Sequence, residues 1–279
     1  MMYATGDDFR QIYVVAKNEI TKFVRGKRFT LYVALILIIF ALITALPYLV
    51  GNDLGSTPGE VLARYVDSIS FLVVLAATLF ASITIVSEFE ERTALILFTR
   101  PIKKTSIFLG KIIGCIVLEI TMIVAFYAAM AAVVFIVGGA IPAELLISLS
   151  MALLFVFAAS SIAILISSVM KKGSTCSILT FVLLLMIIPV ISFAMGAADI
   201  DTWFMLNTAS ESMATSIPEY VEINNAGLEE YADIFEQLGM NMERFIIQAP
   251  DLLKTSATML AWGIVALVLA WAAFIRREF

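Results

Sequence analysis

SEFEERTALILFTRPIKK, residues 87–104, is the longest charged interruption between two apolar runs that could each cross a membrane. Three carboxylates, Glu88, Glu90 and Glu91, open it, and Pro101 with Lys103 and Lys104 closes it, as helix start and stop chemistry requires. Between them, Thr93 to Thr99 carries Ala94, Leu95, Ile96, Leu97 and Phe98. That run is too short to span a bilayer and too apolar for a solvated loop, so it predicts a surface helix that docks against something. A docked helix between two spans makes the chain a helical membrane protein with its business end on one face.

Composition agrees. The 279 residues are 61% hydrophobic and 15% charged, too few polar side chains to coat a globule of this size. Six apolar runs, at about 31–50, 69–86, 112–137, 145–169, 176–195 and 257–275, approach or exceed the roughly 20 residues that cross a hydrocarbon core. They are continuous and lack the alternation of barrel strands, so they predict helices. The fold expected is an all-α polytopic membrane protein, a single domain over 1–279 with six transmembrane helices. Residues 8–28 add a basic amphipathic helix, with Phe9, Ile12, Tyr13, Ala16, Ile20, Phe23 and Val24 on one face and Arg10, Lys17, Lys22 and Arg25 on the other. Such a helix lies in the headgroup plane or packs on a partner. Met1 to Arg28 is polar and charged and does not read as a signal peptide.

The cations sort by link. Arg10, Lys17, Lys22, Arg25, Lys27 and Arg28 precede span one, and Arg92, Arg100, Lys103, Lys104 and Lys111 accompany the quoted stretch. Lys171 and Lys172 join spans four and five, and Arg276 and Arg277 follow span six. The other links hold only Arg64, Arg244 and Lys254. The positive-inside rule therefore predicts cytoplasmic termini, as an even number of spans does. Asp199, Asp201, Glu211, Glu219, Glu222, Glu229, Glu230, Asp233, Glu236, Glu243 and Asp251 all lie between spans five and six, which makes the opposite face acidic and nucleic acid an improbable partner. Residues 196–250 are expected to form a small helical outer cap, with Leu228, Tyr231, Phe235 and Leu238, then Met242, Phe245 and Ile246, at helical spacing. Residues 51–67 and 138–144 read as turns. Gly110 and Gly114 have the small-xxx-small spacing that permits close helix approach.

Little in the sequence carries chemistry. There is no histidine, and Cys115 and Cys176 both fall at or inside apolar runs, so no imidazole site, triad or disulfide framework is indicated. Met240-Asn241-Met242 lacks the supporting ligands of a soft-metal site and reads as the apolar face of a capping helix. Glu119, deep in span three, suggests either a translocation or proton-relay group or a structural partner for another helix. No GxxxxGK[ST], GxSxG or HExxH occurs, so energy for transport would come from another chain. An ion-coupled secondary carrier using Glu119 is the alternative reading; a membrane enzyme lacks any catalytic constellation.

The ordered features resemble the permease subunit of ABC-2 type ATP-binding-cassette transporters. The most specific match is the pattern Glu88, Glu90, Glu91, Thr93, Leu95, Leu97, Arg100, Pro101, Gly110 and Lys111; Arg92 departs from it, where a glycine commonly precedes the threonine. The resemblance implies a dimer of permease subunits, identical or paired with a sister chain, forming the pathway in a prokaryotic plasma membrane. Each would sit on a separate ATPase subunit that binds ATP and Mg, with no cofactor on this chain. Residues 87–104 would be the coupling helix, with Glu88, Glu90, Glu91, Arg92, Thr93, Leu95, Leu97, Phe98, Arg100, Pro101, Lys103 and Lys104 as its contacts. Lys171 and Lys172 offer a second contact or simple topology anchors.

Overall fold

Helix α1 (Thr5–Val24) turns at Gly26 into α2 (Lys27–Leu49). Next, α3 (Pro58–Leu79) passes through a 3-10 turn (Ala81–Ile83) into the short α4 (Val86–Glu90). Helices α5 (Lys104–Gly138) and α6 (Glu144–Val169) follow, then α7 (Gly173–Val182), a π turn (Leu183–Ile187) and α8 (Ile188–Ala197). The short α9 (Leu206–Thr215) and α10 (Pro218–Glu229) precede α11 (Leu252–Arg276). This computed structural model describes residues 5–51, 53–90, 103–198, 200–229 and 246–276. Among them there is no strand. Six helical stretches are long and apolar enough to cross a membrane: Lys27–Leu49, Pro58–Glu90, Lys104–Gly138, Glu144–Val169, Gly173–Ala197 and Leu252–Arg276. The protein is thus an all-α integral membrane protein with the six expected spans.

Two spans begin well before their apolar runs. Residues 58–67 are helix and not part of a turn, which corrects the reading of 51–67. The cause is local: the Thr57 hydroxyl accepts the Glu60 N–H (3.2 Å), and the Glu60 carboxylate accepts the Ser56 N–H (2.7 Å) and hydroxyl (3.0 Å). With Pro58 in the first turn, this is a strong helix start. Of the described residues ahead of this helix, Gly51 and Gly55 have φ of 82° and 146°, as turns require. Helix α5 likewise begins at Lys104, which puts Lys111 inside a helix.

The core is built around α3 and α6. Of their most apolar windows, 78% and 61% are buried, against 6% for α2. Helix α6 packs along α11, α3 and α5, and the Phe157 ring lies against Gly263, where a side chain would collide. A Cβ on Gly138 would stand 2.7 Å from Pro58 Cα, so the end of α5 and the start of α3 meet at backbone distance. The exposed faces are apolar, for example Leu37, Ile38, Leu42 and Leu46 on α2, as lipid contact demands. Pro189 lacks an N–H and its ring crowds the carbonyl four residues back; the π turn immediately before it supplies the extra room.

Gly110 and Gly114 do mark a close approach, and the partner is α1. A Cβ on Gly110 would fall 2.6 Å from Val15 Cβ, and one on Gly114 2.7 Å from the Ala16 carbonyl oxygen. The apolar face of α1 is therefore divided. Ala16 and Phe23 are buried, whereas Phe9 and Tyr13 stay 76% and 67% exposed. Between spans five and six lie α9 and α10; the helical spacings read at Tyr231, Phe235, Leu238, Met242 and Phe245 lie outside the described residues.

A side chain on Gly114 has no room without moving α1. Gly114→Leu should lower stability by about 1–3 kcal/mol in thermal unfolding in detergent, and speed hydrogen exchange across residues 12–23. Unchanged exchange there would rule out the α1–α5 contact.

Candidate functional site

At the basic end, the structure describes residues 87–90 and 103–104 of the predicted coupling segment; Glu91, Arg92, Thr93, Leu95, Leu97, Phe98, Arg100 and Pro101 lie outside the described residues. Glu88 is turned into the chain. Its Oε1 accepts from Lys111 Nζ (2.8 Å) and from Lys22 Nζ (3.3 Å), and Lys22 also donates to Ser87 Oγ (3.1 Å). Lys111 Nζ lies 2.8 Å from Glu19 Oε2, and both side chains are almost wholly buried, 4% and 3% exposed. Among the described residues, two ammonium groups and two carboxylates thus cancel in a cluster that ties α1, α4 and α5 together. The neutral sum is what makes burial tolerable: paired charges recover by mutual attraction much of what desolvation costs, whereas a lone one does not.

Glu90 reaches in another direction. Its Oε2 accepts the Gly173 N–H (2.8 Å) at the first turn of α7, where free N–H groups and the helix dipole favour a carboxylate. Lys171 and Lys172, both exposed, are the preceding residues, so the two predicted contact regions are neighbours in space. Lys103 pairs with Asp8 (2.6 Å), and Lys104, exposed, opens α5.

Immediately before α4, span two leaves the α-helix. Several of the backbone groups released there find partners on other spans. The N–H groups of Ile85 and Val86 donate to Ser167 Oγ (3.1 and 3.0 Å). The Ala81 N–H faces the Glu119 carboxylate. The Leu79 carbonyl accepts from Arg28 Nη1 (3.3 Å), and the Ser82 carbonyl from Cys176 Sγ (2.8 Å). Ser82 Oγ meets Ser177 Oγ at 2.8 Å. Irregular backbone inside a membrane protein is tolerated only where the protein itself satisfies it, and here α2, α5, α6 and α7 all contribute.

Glu119 belongs to this cage. It is fully buried, and besides facing Ala81 it accepts from Ser160 Oγ and Cys115 Sγ (3.5 Å). Its partners come from the 3-10 turn after α3, from α5 and from α6, an arrangement for holding helices together; the secondary-carrier alternative is not favoured. Among the described residues, no group of three or more His, Cys, Asp or Glu is placed to hold a metal ion.

The sequence reading missed Glu19, Asp8, Arg28, Ser160 and Ser167 as contributors. For Glu19 a signal existed: with Ile12, Ala16 and Phe23 it forms one stripe at i, i+4, i+7 and i+11, so an acid sits on the packing face and needs a cation opposite. Ser160, Ser161, Ser167 and Ser168 are a comparable sign in α6, polar residues recurring inside a span.

The fold and this charged, internally tied end define a polytopic helical membrane protein. The chain belongs to the ABC-2 family of transporters: the model of the family described as ABC-2 family transporter protein matches residues 13–279, from within α1 onward. None of the curated proteins compared matches the chain.

Lys111→Met removes the ammonium that joins buried Glu19 to part-buried Glu88 and should destabilise by about 3–5 kcal/mol; adding Glu19→Gln to it should recover part of that loss. Thermal unfolding of the purified chain measures both. Glu119→Leu, which strips Ser160 of its acceptor and takes the carboxylate away from Ala81 N–H, should cost about 1–3 kcal/mol, with Glu119→Gln losing less than half as much. Equal losses for Leu and Gln would argue against the bonding role.

Proposed function

We propose that this chain is the membrane subunit of an ATP-binding-cassette exporter, forming its translocation pathway as a dimer and driven by ATP hydrolysed with Mg on a separate ATPase subunit. Family membership supports the transporter class. The observation that carries the coupling role is the attachment of α4: through Glu88 it is bound to α1 and α5, and through Glu90 to the start of α7. A displacement of the segment 87–104 would reach three elements at once, by rigid-body movement of packed parts.

This geometry divides the work within the segment. Glu88 and Glu90 face their own chain and anchor the helix. Contact with the ATPase then falls to Glu91, Arg92, Thr93, Leu95, Leu97, Phe98, Arg100 and Pro101, an apolar centre with a charged rim. Lys103 and Lys104 lie at the segment's end, and Lys171 and Lys172, beside the Glu90–Gly173 bond, supply a second contact. The excess of cations at this end supports its placement in the cytoplasm with both termini, in a prokaryotic plasma membrane. Phe9 and Tyr13, left exposed on α1, suit its position among lipid headgroups.

Reversing Glu88 or Glu90 would damage the fold itself, so the clean test is apolar. The chain is co-expressed with the ATPase encoded beside it and purified by affinity tag, with Leu95→Glu/Leu97→Glu compared. The variant should keep its melting temperature and lose at least about ten-fold of the bound ATPase, since an apolar centre dominates such contacts. Full retention of the partner would rule out this docking face, and a wild-type chain that captures no ATPase would overturn the exporter reading.

A further inference from the structure

We infer that the acidic end of the bundle holds a binding site for a lipophilic organic cation, between the outer half of α3 and helix α9. The inference rests on the exporter reading and names its substrate class. Two cavities meet there, sharing Ser70, Asn207 and Ser210. The deeper one, about 60 Å³, is walled by Phe71, Val74, Phe155, Leu184, Ile188 and Pro189, where the π turn widens span five. The larger, about 450 Å³, is bordered by Asp67, Glu211, Tyr220 and Met213 and is within the size range of small-molecule sites.

The charge in this place is one-sided. Asp67 and Glu211 both border the larger cavity, and among the described residues neither cavity has a Lys or Arg in its lining. Asp67 accepts from Tyr220 Oη (3.0 Å) and Glu211 from Asn207 Nδ2 (2.8 Å), so neutral donors orient both carboxylates, and burial pushes the Glu211 carboxyl up to about 7, where a cation would favour its ionised form. Burial first, then Asp67 and Glu211, push the Tyr220 phenol above the ordinary tyrosine range. Asn207, Ser210 and Glu211 are at i, i+3 and i+4 of α9, on one side of that helix. A third cavity, about 820 Å³ and open to solvent, shares Asn207, Glu211, Thr215 and Ile247 with the second and gives it an entrance. The Lys254 at that entrance is paired with Asp251 (3.3 Å).

The ligand chemistry follows from the lining. A cationic centre between Asp67 and Glu211 would neutralise them, and apolar substituents would enter the cleft toward Phe71, Val74 and Phe155. An anion meets like charge, and a neutral apolar molecule leaves the carboxylates uncompensated. A metal ion is the weaker occupant, because no three-ligand group exists among the described residues.

The test uses the full chain in nanodiscs of zwitterionic lipid. Tetraphenylphosphonium and tetraphenylborate, alike in shape and opposite in charge, are titrated by equilibrium dialysis against wild type, Glu211→Gln and Asp67→Asn/Glu211→Gln. The phosphonium should bind saturably, several-fold more weakly to the single variant and at least ten-fold more weakly to the double, with unchanged melting temperatures; the borate should only partition into lipid. Equal behaviour of the two ions, or wild-type affinity in the double variant, overturns the site. ATPase capture without saturable phosphonium binding removes the site and leaves the exporter reading. Saturable, carboxylate-dependent binding by a chain that captures no ATPase keeps the site and removes that reading.

Discussion

An N–H or carbonyl that leaves the helical ladder inside a hydrocarbon layer must be given a partner by the protein, and span two leaves the ladder in the most buried stretch of the molecule. Phe80, Ala81, Ser82, Thr84 and Val86 are all fully buried where it does so. The partners are Arg28 on α2, Glu119 on α5, Ser167 on α6 and Cys176 on α7. Four spans are thereby held in one relation to the fifth. Each donor or acceptor is a polar residue whose place in an apolar span would otherwise be a net cost, and the break turns that cost into a fixed helix arrangement.

The break also separates two mechanical parts. Above it α3 is a long helix buried among its neighbours. Below it α4 is joined to α1 and α5 by the Lys111 cluster and to α7 by Glu90. Residues 80–85 thus form a joint between the core of the bundle and the charged segment. A cluster of charges suits such a boundary better than an apolar contact, because each ion pair is directional and leaves an unpaired charge if the register slips; a buried apolar patch of equal area would tolerate sliding.

Much of this was legible in advance, for reasons of length and composition. Uninterrupted apolar runs mark the six spans, and the charge runs between them mark the links. The Gly110–Gly114 spacing signalled a close approach but not its partner, since small residues say only that a backbone comes near. The helix start at Pro58 was obscured by Gly and Pro, turn formers in general, although Ser56-Thr57-Pro58-Gly59-Glu60 has the capping residues. The break in span two was invisible because FASITIV, residues 80–86, is apolar and small enough to continue a helix; only the remote Ser167, Cys176 and Glu119 show why it does not. Glu119 looked like a functional charge in a span because the partners it finds on other elements, Ser160 above all, are neutral and distant in sequence.

The cation count that orients the chain treats every Lys and Arg alike, and the structure separates them into two kinds. Lys22, Lys103 and Lys111 form ion pairs within the protein, and Arg28 caps the end of the α3 helix. These would stay where they are in any lipid. Arg10, Lys17, Arg25, Lys27, Lys171 and Lys172 are exposed at the same end and are able to meet anionic phosphates. At the opposite end, of the described cations, Arg64 is exposed and Lys254 is paired with Asp251. Removing the internally paired cations from both sides leaves the asymmetry intact. The excess of cations at the basic end therefore does not come from residues whose charge serves the fold.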